Sequence, residues 1–384
     1  MSEAIYLDHH ATTPVDPEVL AEMLPWFTDR PGNPHSRHHE HGWSAEAAVD
    51  LARMEISELI SAAPDQVILT SGATEANNWA LTGIAATLPP DRRRVVTTNV
   101  EHPCVLETAR RMAAEGHPVT ILPVEAGGGV DPQSVIDELD KGDVGLVSVM
   151  LANNEIGTIQ PVADIGRATR ASGALMPGGA AQALGRIRLD MGRLNVDLLS
   201  ITAHKLYGPK GIGALVLSDA ARRVIRPMMA GGGQQDGLRS GTVPTPLAVG
   251  FGAACRLAQD RLDADVTAIR GMRDRLWLGL TGRTDGLHVN GAQLMRLPGN
   301  LNFRVDGAEA DDIIRAAPEI AISTGSACSS ENSEPSYVLQ AIGLDAAAIR
   351  GSLRIGVGRT NTLAEIDTAV EVLAKAISKA RQGS

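Results

Sequence analysis

Short apolar, β-branched runs alternating with helix-like segments predict an α/β fold, a mainly parallel sheet covered by helices on both faces. A change of pattern beyond Leu247 and a length of 384 residues, which suits about two domains, predict a second unit. The Val/Ile-rich runs 67–71, 95–100, 119–124, 144–150, 198–202 and 213–217 read as strands. Between them, 75–88, 105–115 and 162–171 carry apolar residues at helical spacing. A long helix-like region, 246–280, then leads to strands near 301–305, 320–324 and 353–357. A capping box, Thr362 with Glu365, opens a closing helix with the apolar stripe Ile366, Val370, Leu373 and Ile377. This half reads as a smaller α+β unit. There is no internal repeat and no low-complexity linker.

The hydrophobic fraction of 43% and charged fraction of 21% are those of an ordinary soluble globular protein. A net charge of -10 argues against direct binding to nucleic acid or to an anionic membrane. Arg92-Arg93-Arg94 is too short a run to reverse that, and reads as a solvated strand entry. No apolar run reaches the ~18 residues of a membrane span. The start, MSEAIYLDHH, lacks the basic and apolar regions of a signal peptide. Cys104, Cys255 and Cys328 are odd in number and far apart, which suits the reducing cytoplasm. The histidines 9, 10 and 35–41 lack zinc-type spacing with carboxylates or thiolates, so no metal is expected. Cys104 and Cys255 sit in partly apolar helical settings and read as buried structural thiols.

Two segments carry the chemistry. Ser326-Ala327-Cys328-Ser329-Ser330 places a thiol among small polar residues with little apolar area to anchor them, so this loop should be mobile. Ala203-His204-Lys205-Leu206-Tyr207-Gly208 places a lysine at the end of an apolar run. A lysine that forms an imine with an aldehyde needs a fixed, sheltered place, because only the neutral amine attacks a carbonyl. Together they suggest sulfur chemistry assisted by pyridoxal 5′-phosphate. Ser71-Gly72-Ala73-Thr74-Glu75, between a strand and a helix, offers amides and a hydroxyl to a phosphate. A capped turn alone would look the same. His102, Asn153 with Asn154, Gln182, and Thr202 with His204 all follow strand ends, where open α/β sheets bind ligands.

The chain resembles the cysteine desulfurases, pyridoxal-phosphate enzymes of the class V aminotransferase group, and specifically the NifS/IscS-type branch. The resemblance rests on Tyr6-Leu7-Asp8-His9-His10-Ala11-Thr12-Thr13-Pro14, on Gly32-Asn33-Pro34-His35-Ser36, on 70–76 and on Glu101-His102. It continues through 153–157, 203–213, Arg239-Ser240-Gly241-Thr242, 326–337 and Ser352-Leu353-Arg354. It implies fold type I: a large domain, 15–257, around a mainly parallel seven-stranded sheet, and a small domain, 1–14 with 258–384, carrying the cysteine loop. It implies that Lys205 holds the cofactor as an imine, while Ala73, Thr74, Thr202 and His204 surround its phosphate. Thr242 would reach in from the second subunit of a homodimer. His102 would stack on the ring and help move protons; Asn154 and Gln182 would face substrate and ring hydroxyl. Arg354, helped by Asn33, would hold the carboxylate of L-cysteine. Cys328 would take the sulfur as a persulfide and pass it to an acceptor protein. Iron–sulfur scaffolds, tRNA thiolation and DNA phosphorothioation are all served by enzymes of this type.

One segment departs from that pattern. The family carries His-x-Asp just before the Ala-Ala-Gln segment, and this Asp contacts the pyridine nitrogen. Here Pro177 and Gly179 hold those two positions. A carboxylate there keeps the nitrogen protonated and strengthens the electron sink. Three readings stay open: a diverged active enzyme with a weaker sink, a substitute partner from elsewhere, or a scaffold that binds cofactor poorly. Selenocysteine lyase and aminotransfer are the other reactions weighed.

Overall fold

The structure is a computed structural model that describes residues 4–324 and 335–382. The N-terminal strand β1 (Ile5–Tyr6) precedes the main sheet, whose strands in chain order are β2 (Val67–Thr70), β3 (Arg94–Thr98), β4 (Val119–Leu122), β5 (Val144–Val147), β6 (Val149–Met150), β7 (Pro177–Gly179), β8 (Leu198–Thr202) and β9 (Gly213–Leu217). β5 and β6 are separated only by Ser148 and act as one strand. They join the two ladders into the order β2, β9, β8, β7, β5/β6, β3, β4. That makes seven strand positions, as the resemblance implies. Only β9 runs antiparallel to its neighbours, so the other strands end on one edge.

The strands are mostly apolar and lie between helices, as the sequence predicts. The helices Ala73–Ala85, Pro103–Ala114 and Val162–Ser172 begin within a few residues of the expected positions. His102 caps the second of them, its Nδ1 accepting from the Cys104 amide at 3.1 Å. The helix Glu40–Leu59 was not read from the sequence. Its buried stripe of Ala45, Val49, Ala52, Ile56 and Leu59 is mostly small, and it packs on the long helix Thr245–Thr281. Arg92 is not merely solvated: its guanidinium donates to the Val144 and Ser172 carbonyls at 2.8 Å.

The second half builds an antiparallel sheet from β10 (Leu287–Val289), β11 (Asn300–Val305), β13 (Ser323–Thr324) and β14 (Ser352–Gly356), while β12 (Ile320–Ala321) pairs with β1. The expected strand at 320–324 thus divides between two sheets. The capping box forms, with the Glu365 amide donating to Thr362 Oγ1 at 3.2 Å and the Thr362 amide to Glu365 Oε2 at 2.7 Å. Ile366, Val370, Leu373 and Ile377 are all buried. One apolar core runs from Val19 to Ala258, and another joins Leu7 to residues between Met272 and Ala380.

Candidate active site

Strands that end on one edge can build one site, and five of them wall a cavity of about 500 Å3. β2 is followed by Ser71, Gly72, Ala73 and Thr74, β3 by Glu101 and His102, β6 by Ala152 and Asn154, β7 by Ala181 and Gln182, and β8 by His204 and Lys205. Thr202 ends β8 and also lines the wall.

At the β2 end the chain turns at Gly72, whose φ of 152° favours glycine. Gly213 lies against this turn: a Cβ there would come within 2.8 Å of Gly72 Cα. The Ser71 amide donates to Glu75 at 2.7 Å, and Arg239 clamps the same carboxylate at 2.9 and 3.1 Å. The first amides of the helix have no partner within it and border the cavity. That end therefore suits an anion.

Lys205 closes the short turn Ala203–Lys205 after β8. The turn is fixed from two sides. Arg186 donates to the Lys205 carbonyl at 3.2 Å, to the His9 carbonyl at 2.6 Å and to Gln182 Oε1 at 2.6 Å. Thr13 Oγ1 donates to the His204 carbonyl at 2.9 Å and accepts from the Tyr207 amide at 2.8 Å. Tyr207 stands at φ 61°, a left-handed conformation that a bulky side chain holds only when its surroundings enforce it.

Burial, followed by the charge of Lys205, drops the pKa of His102 to about 4. Its ring is therefore neutral near pH 7. Because Nδ1 accepts from the Cys104 amide, Nε2 carries the proton. His204 also falls to about 4, mainly through burial, and its Nδ1 lies 3.1 Å from Thr12 Oγ1. Asn153 and Asn154 part ways. Asn153 is fully buried and staples its turn, with Oδ1 accepting the amides of Glu155 and Ile156, while Asn154 faces the cavity.

Other expected residues lie elsewhere. Arg354 is 1% exposed and does not line the cavity; it donates to Asp8 Oδ1 at 2.7 Å and to the Asn154 carbonyl at 3.3 Å. Its Nε has no partner among the described residues. Asn33 is exposed, its Oδ1 accepting the His35 amide, and Thr242 is exposed in its loop. Cys328, with the loop expected to be mobile, lies outside the described residues. The chain on either side of it is placed: Thr324 pairs with Leu353 beside Arg354, and Tyr337 Oη donates to the Glu101 carbonyl at 2.7 Å.

Cys255 is buried as expected, but Cys104 is not a core thiol: it stands on the cavity wall, because the helix that His102 caps turns its first residues to the opening. Burial pushes its pKa up to about 11, so it stays a thiol. Asn77, Glu101, Lys210 and Arg186 were missed. Arg186 follows a glycine in a largely apolar turn and carries no local signal of its role.

The buried histidines and carboxyls set opposing pH dependences. Burial lowers His9, His102 and His204 to about 4 and also holds His10 well below its usual value, against 6.5 unfolded. The unfolded chain therefore binds more protons there, and that stability is lost as pH falls from 6.5 towards 4. Burial raises Glu101 to about 8 and Glu155 to about 7, so their contribution is lost as pH rises through 7 to 8. Thermal unfolding of the cofactor-free protein should show its highest Tm between pH 6 and 7 and lower values at pH 5 and pH 8.5. A Tm that rises steadily towards pH 5 would contradict this.

Comparison with known proteins places the chain. The family model described as aminotransferase class V matches residues 5–369. A mitochondrial cysteine desulfurase of Arabidopsis thaliana is 45% identical over 380 residues, covering 99% of this chain and 84% of that protein. The cysteine desulfurase IscS of Rickettsia bellii is 44% identical over 377 residues, covering 98% of this chain and 92% of that protein. Among solved structures, a NifS-like protein superposes with a TM-score of 0.91 at 33% identity, covering 98% of this chain and all of that one. SspA in complex with cysteine superposes with a TM-score of 0.82 at 33% identity, covering 93% and 100% of the two chains. On these matches, the chain belongs to the class V aminotransferase family, among the NifS- and IscS-like cysteine desulfurases.

Proposed function

We propose that the chain is a cysteine desulfurase that releases L-alanine from L-cysteine and carries the sulfur as a persulfide on Cys328 to a separate acceptor protein. The supporting observation is Lys205, held at the end of β8 on the wall of a cavity whose β2 end is an anion cradle. Those features fit pyridoxal 5′-phosphate: a lysine for its aldehyde, helix amides with Thr74 and Thr202 for its phosphate, and an uncharged imidazole for its ring. When bound, it supplies an aldehyde for imine formation and an electron sink for charge at the substrate α-carbon.

The chain's own groups divide the remaining work. His204 and Ala73 complete the phosphate end. His102, a neutral imidazole, serves as a stacking plane and helps Lys205 to move protons. Asn154 and Gln182 position the substrate and the ring hydroxyl. Arg354 and Asn33 take the carboxylate, and the unpartnered Nε of Arg354 is a donor still open to it. The decisive test is incubation of the cofactor-loaded protein with L-cysteine, measuring alanine and sulfide with and without a thiol reductant. Alanine formed in the reaction supports the reading; transamination products alone would replace it.

Residues 15–257 are proposed as the cofactor-binding domain, and 1–14 with 258–384 as the small domain, since one apolar core fills the first range and passes it only at Ala258, and another joins Leu7 to the C-terminal half. Thr242 lies off the cavity wall and is exposed, which fits a residue given to the phosphate site of a second copy. Sedimentation should therefore find a homodimer, and a fully active monomer would refute it. No helix among the described residues is long and apolar enough to cross a membrane. The odd cysteine count favours a reducing compartment such as the cytoplasm.

Gly179 favours a second reading, a scaffold with an impaired cofactor site. It lines the cavity. The position accepts a side chain: a Cβ would meet Met150 at 3.7 Å, and its φ is not in the left-handed range. Gly179→Asp should therefore raise cofactor affinity and turnover together. A charge-assisted hydrogen bond is worth about 1.5–3 kcal/mol, or roughly one to two decades if felt wholly in the transition state. Unchanged cofactor affinity in a folded Gly179→Asp protein would refute this expectation.

A further inference from the structure

Glycine at position 179 leaves the question of what meets the ring nitrogen. A pyridoxal ring tethered at Lys205 has its nitrogen para to the tethered carbon, directed away from the lysine. β8 runs from Ser200 through Thr202 towards Lys205, so Ser200 lies deeper in the sheet, and it pairs in register with Gly179. Asn77, on the second turn of the helix Ala73–Ala85, reaches the same depth and lines the cavity. Its Oδ1 accepts from Ser200 Oγ at 2.6 Å and lies 3.9 Å from where a Cβ on Gly179 would stand. Its Nδ2 donates to Cys104 Sγ at 3.4 Å, which uses one of two hydrogens.

We propose that Asn77 takes the place of the missing carboxylate: its amide donates to the ring nitrogen, which is bound unprotonated. This rests on the reading of the cavity as a pyridoxal-phosphate site. The Ser200 hydroxyl orients the amide, turning the oxygen to itself and leaving an N–H for an acceptor. An unprotonated pyridine nitrogen is an acceptor for that N–H, whereas a protonated one would have to share the Asn77 oxygen, which already accepts from Ser200. The other charges around this end agree. Among the described residues, the cavity wall carries two carboxyls, Glu75 and Glu101. Glu75 is clamped by Arg239 at the anion end, and Glu101 is fully buried and accepts the Met150 amide. Burial holds Glu101 protonated near neutral pH, and the Cys104 thiol is neutral too. Lys210, also on the wall, disfavours a further positive charge on the ring.

The test is nitrogen-15 NMR of the apo-protein reconstituted with ring-labelled pyridoxal phosphate, alongside cofactor titration of the variants. The wild-type ring nitrogen is expected to be unprotonated. Asn77→Ala should weaken cofactor binding about 3- to 10-fold, the worth of one neutral hydrogen bond. Asn77→Asp, nearly isosteric, should convert the nitrogen to its protonated form. A protonated nitrogen in the wild type, or affinity and spectrum indifferent to both substitutions, overturns the proposal. Apo-protein that takes up no cofactor removes the reading of the cavity and this inference with it, whereas uptake indifferent to Asn77 removes this inference alone.

Discussion

Lys205→Ala should abolish turnover of L-cysteine and leave the cofactor removable by dialysis after borohydride treatment, where the wild type fixes it covalently. The expected loss is at least about 10³-fold, since the lysine serves both as the cofactor's anchor and as the group that moves the substrate proton. Its backbone will stay in place, because Arg186 and Thr13 hold the turn through the carbonyls of Lys205 and His204 rather than through the lysine side chain. Folding and Tm near that of the wild type are therefore expected, which separates a chemical loss from a structural one. A second readout comes from the histidines. The Lys205 charge is the second cause, after burial, of the low pKa of His102 and of His204, so both should titrate higher in the alanine variant. Cysteine turnover at a tenth of the wild-type rate, or covalent cofactor in the variant, would remove Lys205 from its place.

The positions that sequence reasoning found share one property. Thr74, His102, Asn154, Gln182, His204 and Lys205 each follow an apolar run that ends on the sheet edge, so local pattern and function coincide. Asn77 has no such marker. It lies inside a helix, and only the packing of that helix over β8 brings it beside Ser200 and Gly179. Cys104 was misplaced for a related reason: apolar neighbours in sequence suggested a core thiol, yet the first turn of its helix faces the cavity. The strand order was beyond reach as well, because β9 inserts between β2 and β8 by pairing that links residues far apart in the chain. Arg354 carries no local marker either: it lies within β14, and only the fold brings its guanidinium to Asp8 and the Asn154 carbonyl.

Cys328→Ser should bind L-cysteine and shift the cofactor's absorbance, yet form neither persulfide nor sulfide, with alanine at background. The chemistry requires the thiolate: its sulfur bonds to the substrate sulfur, the substrate carbon–sulfur bond breaks, and the electron pair stays on carbon, which is then protonated to give alanine. A serine oxygen at the same place is a far weaker nucleophile and stays protonated near neutral pH. The placed flanks make the approach feasible. Cys328 stands four positions after Thr324, a reach of at most about 14 Å, and Thr324 pairs with Leu353, next to Arg354. On the other side Ser336 Oγ donates to Glu155 Oε2 at 2.5 Å, and Tyr337 is bonded to the carbonyl of Glu101, the neighbour of His102. Both anchors thus lie beside residues of the site. Mass spectrometry of wild-type protein alkylated after a single turnover should find one added sulfur on the Cys328 peptide and none on those of Cys104 or Cys255. The Cys104 thiol is raised to about 11 and Cys255 is fully buried, so neither offers a thiolate at working pH. Sulfide release at the wild-type rate by Cys328→Ser, or the added sulfur on Cys104, would move the persulfide elsewhere.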